Sequence, residues 1–194
     1  SSYTIIKNTL GLNVSSKMNY YIVVLQAVLE DGGRMYTGFK FDCGQDLEKV
    51  DILKLARETV ADAGAYIGAS PVPSGKYKVV LRNDAVCALM DTFASVFSAE
   101  EAQKGLSLLA GKEGEIIASE TVTLYDDPHL TGCFGQSAFD DEGVPTFRKS
   151  IIEKGKLYTL LHNLKTAAKQ GVQTTGNAAK PSYQGAVGVS ARIL

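Results

Sequence analysis

Met18-Asn19-Tyr20-Tyr21-Ile22-Val23-Val24-Leu25-Gln26-Ala27-Val28-Leu29-Glu30, then Asp31-Gly32-Gly33, then Arg34-Met35-Tyr36-Thr37-Gly38-Phe39-Lys40-Phe41 is the stretch that decides the fold class. The first run is rich in Tyr, Ile and Val, the residues that fit a pleated surface. Two adjacent glycines supply the positive φ values of a tight hairpin. The third run alternates, with Met35, Thr37, Phe39 and Phe41 pointing one way and Tyr36, Gly38 and Lys40 the other. Upstream, Tyr3 to Asn8 and Gly11 to Lys17 are short strand-like runs around a Leu10-Gly11 turn, so residues 3–41 are expected to form a β-meander. Downstream the period changes. Leu47, Val50, Leu53, Ala56, Val60 and Ala63 recur at three and four residues, and Asp46 stands where an N-cap belongs. A helix over 46–67 follows.

Gly68-Ala69-Ser70-Pro71-Val72-Pro73-Ser74-Gly75 concentrates chain breakers and marks the expected domain boundary. Residues 1–72 are then the end of an N-terminal α+β domain, and residues 73–194 are the first part of a β-rich C-terminal domain. Tyr77 to Leu81 reads as a buried strand and Asp84 to Phe97 as a helix. Ser98-Ala99-Glu100-Glu101 starts another helix, running to about Leu109. Strands are expected near 115–118, 121–126, 145–153 and 156–162, with a hairpin turn at Glu153-Lys154-Gly155-Lys156. Asn163 to Lys169 is a short helix stopped by Gly171. Residues 172–188 have no regular period and read as a long loop. The fold class is α+β: a mixed or antiparallel sheet with packed helices, followed by the start of the β-rich domain. Both ends run in strand-like sequence, as in a fragment of a longer protein.

Composition narrows the function classes. Of 194 residues, 45% are hydrophobic and 21% charged, which excludes disorder for most of the chain. Twenty basic residues face twenty-one acidic ones, a net charge of -1. Bulk attraction to nucleic acid or to anionic lipid is not expected. The longest nearly uncharged apolar run, Tyr20 to Leu29, is too short for a spanning helix, and no signal peptide is visible. No membrane partner is expected, and the cytoplasm is the expected compartment. The three cysteines, Cys43, Cys87 and Cys133, are widely spaced and form no Cys-x-x-Cys, which argues against a disulfide framework or a cysteine zinc site.

Zinc chemistry calls for convergent His, Cys or carboxylate ligands, but His129 and His162 are the only histidines and lie far apart in sequence. Dinucleotide and P-loop glycine patterns are missing. Cys133 four residues after His129 is the one Cys/His neighbourhood, and a loop thiol beside a solvent-facing His is its simplest explanation.

Two polar knots remain. Phe139-Asp140-Asp141-Glu142-Gly143-Val144-Pro145-Thr146-Phe147-Arg148-Lys149 places three acids before a turn and two bases after it. Asp141 and Glu142 can bind a metal or orient a water, but composition favours a structural role, in which they cap the turn and pair with Arg148 across it. Thr174-Thr175-Gly176-Asn177-Ala178 can line a peptide groove or simply form a turn. Composition does not separate these two readings of the second knot.

The first knot, Ile152-Glu153-Lys154-Gly155, Leu157, Ala167-Ala168-Lys169-Gln170-Gly171-Val172 and the second knot together resemble the central signature of the TldD/PmbA family. Asn8-Thr9-Leu10-Gly11-Leu12 resembles its Asn-Ser-x-Gly strand turn. Pro73-Ser74-Gly75-Lys76-Tyr77 with Val79-Val80-Leu81 resembles the linker and first strand of its C-terminal domain. The resemblance implies a cytoplasmic proteolytic complex of two related subunits that processes peptides; the family also carries the older name "modulator of DNA gyrase". Its active subunit holds a metal with a His-Glu-x-x-x-His helix and a later Cys. The corresponding helix here reads Asp84-Ala85-Val86-Cys87-Ala88-Leu89-Met90-Asp91-Thr92-Phe93, without His or Glu in that pattern. Asp127-Pro128-His129-Leu130 is similar to the PmbA (TldE) branch, which lacks the metal motif.

The resemblance therefore implies a subunit that is not an enzyme by itself, with no catalytic residue and no metal in this chain. The metal would belong to a TldD-like partner, joined as a heterodimer, with self-association as the other option. Peptides are the implied substrates, and direct nucleic-acid contact is not implied. Asp141, Glu142, Gly143, Arg148, Thr175, Gly176 and Asn177 are the family-motif candidates for substrate or structural roles. The rival expectations are a self-sufficient hydrolase, through Cys133 and His129 or a metal completed elsewhere, and a gyrase-directed regulator without a proteolytic role.

Overall fold

A computed structural model describes residues 1–132, 135–182 and 184–194. Cys133, and with it the Cys133/His129 pair, lies outside the described residues. The architecture is α+β: small antiparallel sheets with short helices. Strand β1 (Ser2–Lys7) pairs with β2 (Asn13–Met18), and β3 (Tyr21–Asp31) with β4 (Arg34–Gly44). The expected meander is therefore two separate hairpins. Asn19 and Tyr20 leave the ladder, and β2 and β3 share no hydrogen bonds within one sheet.

The backbone separates into two compact units, one mainly Asn19–Val80, the other mainly Ser2–Met18, Leu81–Thr131 and Gly135–Leu194. In the first, β3 and β4 pair over their whole length, from Tyr21↔Gly44 to Asp31↔Arg34. The glycine turn was legible: Gly32 and Gly33 have φ of 56° and 75°. The expected long helix divides. Asp46 caps a single 3-10 turn, Leu47–Lys49, and Asp51 caps helix α1 (Ile52–Gly64) by accepting from the Lys54 amide at 2.8 Å. Helix α1 lies on the face of the hairpin that carries Gly38. A Cβ on Gly38 would stand 2.2 Å from the Thr59 carbonyl oxygen, so only glycine permits this approach. Leu55, Thr59 and Ala63 are buried there, and Lys40 pairs with Asp62 at 3.2 Å. The opposite face carries Ile22, Val24, Val28, Phe39 and Phe41, each about half exposed.

Residues 77–81 form no strand. They have the composition of one, but no described strand lies beside them to complete a ladder, and Val79 and Val80 are exposed.

The second unit is centred on a three-stranded sheet of order β5-β6-β7: β5 (Leu124–Asp126), β6 (Lys149–Glu153) and β7 (Lys156–Leu157). These strands are shorter than the sequence suggests, because residues 145–148 and 158–162 leave the ladder. The β6–β7 turn has Lys154 and Gly155 at φ of 48° and 80°. Three helices surround the sheet in sequence: α2 (Asn83–Phe93), α3 (Ala99–Gln103) and α4 (Leu164–Gln170). Helix α3 stops well before Leu109, and Gly105 adopts φ of 76°. Helix α4 has a capping box of Asn163 with Thr166, and Gly171 ends it in the left-handed region. Phe97, Ala99, Ile151, Ile152, Leu157, Leu160 and Leu161 form the core. Inside the expected long loop, β8 (Ala178–Ala179) pairs with β9 (Gly188–Val189). No described helix is long and apolar enough to cross a membrane.

Candidate functional site

Folding brings the two polar knots together in the second unit. Asp140 is fully buried and organises its own turn. One carboxylate oxygen accepts from the Glu142 and Val144 amides, each at 3.0 Å, and the other accepts from the Ala178 amide in the second knot at 3.0 Å. Gly143 closes that turn at φ of 81°. Asp141 reaches the residues just after the second knot, accepting from the Lys180 amide at 2.6 Å.

Glu142 turns elsewhere. Its carboxylate accepts from the Leu164 amide at 2.8 Å, the first residue of α4. An anion there satisfies a free amide and opposes the positive end of the helix. Glu142→Ala is expected to cost about 1 kcal/mol, read as a lower urea midpoint with the fold retained; an unchanged midpoint would show that water replaces the carboxylate without loss.

Arg148 does not pair with the acids across the turn. Its guanidinium lies 3.5 Å from Asp127 and 4.1 Å from the centre of the Tyr125 ring. Arg148 stands just before β6, where the Asp127 carboxylate and the Tyr125 π-face are both within reach.

In the second knot, the Thr175 hydroxyl accepts from the His162 amide at 2.6 Å and donates to the Asn177 side-chain oxygen at 2.8 Å. The Asn177 side-chain nitrogen donates to Asp126 at 2.7 Å and to the Ser190 carbonyl at 3.0 Å. Gly176, at φ of 68°, lets this segment approach Pro145, whose carbonyl oxygen a Cβ would meet at 2.9 Å.

Asp126 and Lys149 were not singled out by the sequence, yet they are the centre of the network. Asp126 is fully buried. Besides Asn177 it receives the Lys149 ammonium at 3.0 Å and the Arg192 and Ile193 amides at 2.8 and 2.9 Å. Four donors on two carboxylate oxygens occupy the lone pairs and leave none for substrate. A basic residue one position after Arg148 was visible, but its partner 23 residues away was not.

His129 is exposed, and its Nε2 lies 3.1 Å from the Thr146 hydroxyl. That hydroxyl donates to the Ser137 carbonyl, so Nε2 must be the protonated nitrogen here. A His fixed as a donor toward Thr146 is not poised as a base there.

His162 is buried, and its Nδ1 has no hydrogen-bond partner among the described residues. Burial lowers its pKa from the ordinary 6.5, against an opposing pull from the Glu113 charge. The folded state thus favours neutral imidazole. Stability from this group is complete above the unfolded pKa and declines as pH falls from about 6.5 through the folded pKa. Between pH 7.5 and 5 the urea midpoint of the unsubstituted chain is expected to fall more steeply than that of His162→Gln; parallel curves would refute this.

Residues 74–194 match the family described as the PmbA/TldA metallopeptidase C-terminal domain. The chain belongs to the PmbA/TldD family. A metalloprotease of Methanothermobacter thermautotrophicus is 38% identical over 160 residues, covering 79% of this chain and 35% of its own. A metalloprotease of Methanocaldococcus jannaschii is 34% identical, covering 86% and 38%. Among solved structures, a Thermotoga maritima protein named for modulation of a DNA gyrase aligns with a TM-score of 0.86 and 38% identity, over 96% of this chain and 42% of that one. TldE of Thermococcus kodakarensis aligns with a TM-score of 0.84 and 28% identity, over 98% and 43%. The chain thus spans well under half the length of these relatives.

A metallopeptidase family implies a metal, and the donors on α2 do not fit one. The helix has no imidazole; its candidate donors are Asp84, which is paired with Arg82, Asp91, and Cys87, an exposed single thiol. No group of three His, Cys, Asp or Glu side chains converges among the described residues.

Proposed function

We propose that this chain is part of a PmbA/TldE-like subunit that does not cleave peptides itself and pairs with a TldD-like subunit holding the metal. The observation that carries this is the composition of α2. Its family counterpart supplies two imidazoles and a carboxylate, whereas this helix has no imidazole and offers only Asp84, paired with Arg82, Asp91 and a single thiol. The knots support a structural part for the motif residues. Asp140, Thr175 and Asn177 have their polar atoms engaged by backbone and by one another. The subunit would shape the surface along which a peptide reaches the partner's metal, with no cofactor of its own and with the cytoplasm as its compartment.

Native mass spectrometry of the full-length parent, purified gently from its host, tests this. A stoichiometric complex with a metal-bearing homologue is expected. A metal-free homodimer that hydrolyses peptides alone would overturn the reading and bring Cys133 forward as a nucleophile. A gyrase-directed regulator would instead bind purified gyrase with no peptidase subunit present.

A further inference from the structure

A cavity of about 250 Å³ opens between the end of α2, the following turn and β9. Asp91, Thr92 and Ser95 line it from the α2 side, Val189 to Ala191 from the β9 side, and Ser98 and Leu161 complete the lining. An engineered apolar cavity of about 150 Å³ holds a benzene ring, so this space takes one side chain or a small ligand.

Its chemistry is one-sided. Among the described residues, Asp91 supplies a carboxylate with no ion-pair or hydrogen-bond partner, and no other charged residue lines the cavity. The remaining polar side chains of the lining carry hydroxyls. Thr92 already donates its proton to the Ala88 carbonyl, and Ser190 donates to the Ala191 carbonyl, which leaves their lone pairs for a donor. The cavity also sits at the carbonyl end of α2, where the helix carries partial negative charge. Leu161, Val189, Ala94 and Ala191 line the rest with apolar surface. The β9 side is held in place by the polar knot: Asn177 accepts at its backbone oxygen from the Ser190 amide at 3.0 Å and donates from its side chain to the Ser190 carbonyl at 3.0 Å.

We infer that this cavity binds a protonated primary amine on a short aliphatic stem. Asp91 and the hydroxyls of Thr92, Ser95 and Ser190 take the ammonium, and Leu161 and Val189 take the stem. Thr175 and Asn177 are positioning residues that hold the β9 wall. The inference rests on the peptide-handling reading only for the source of the amine, a lysine side chain or a peptide N-terminus.

Three peptides separate the sources: acetyl-Gly-Lys-Gly-amide, Gly-Gly-Gly-amide and acetyl-Gly-norleucine-Gly-amide, titrated into the ¹⁵N-labelled 194-residue chain. Amide shifts confined to residues 91–98 and 189–191 are expected with the lysine peptide, the free N-terminus, or both, and binding about tenfold weaker with norleucine. Asp91→Asn, at an exposed position, is expected to keep the circular dichroism spectrum and to abolish that tenfold preference. Equal binding of norleucine, shifts outside the cavity, or an unaltered preference in Asp91→Asn would overturn the inference. None of these outcomes bears on the subunit reading, which is decided by the complex formed by the parent protein.

Discussion

Replacing Lys149 by methionine is expected to lower the stability of the second unit by about 3–5 kcal/mol. The ammonium and Asp126 are both almost entirely out of water, at 5% and 0% side-chain exposure and 3.0 Å apart. Methionine fills much of the same volume, so packing changes little and the charge is the main loss. Asp126 keeps Asn177 and the Arg192 and Ile193 amides, but it becomes a buried carboxylate with no counter-ion. Such a loss is a large part of a domain's usual stability. A drop of about 10 °C in the melting transition follows, with the urea midpoint moving in step. A change below about 1 kcal/mol would show that water enters to solvate the carboxylate, and the network would then not be the centre of this unit.

Gly38→Ala has the largest expected effect in the first unit. The new methyl would stand 2.2 Å from the Thr59 oxygen and 2.5 Å from the Ala63 nitrogen, both helix backbone atoms that no rotamer change can move. Helix α1 must lift from β4, and Leu55, Thr59 and Ala63 would lose their cover. The cost is about 3 kcal/mol, the upper range for overpacking. Amide exchange would rise across residues 52–64 and the facing part of β4, while β6 keeps its protection. Unchanged exchange in α1 would mean that the helix does not rest on Gly38.

The two experiments probe what the sequence could and could not disclose. Local chemistry was legible: Gly32-Gly33 and Lys154-Gly155 as turns, Asn163 and Gly171 as the ends of α4, Ser98 as the cap of α3. These features depend on a few neighbouring residues. The alternation in β4 was legible as well, but not which side faces inward. Phe39 and Phe41 are the larger apolar residues, yet the helix covers Gly38, because backbone proximity outweighs side-chain hydrophobicity at that spot. Tyr77 to Leu81 shows the converse limit, since strand composition makes no strand without a neighbour. At the candidate site, the motif identified the segments that meet, whereas the partner of each side chain depended on distant residues. Arg148 went to Asp127, Glu142 to the start of α4, and Asn177 to Asp126.

During synthesis on the ribosome, Asp126 leaves the exit tunnel long before two of its donors exist. Lys149 follows 23 residues later, but the Arg192 and Ile193 amides come 66 and 67 residues behind it. Until they emerge, this carboxylate must stay hydrated, so the second unit cannot close around it. The first unit, whose contacts span residues 21–64, can consolidate while the second is still being made. Closure over such long separations is slow, and nascent chains stalled before residue 192 would remain open to proteases in the β5–β6 region after the β3–β4 hairpin has become resistant.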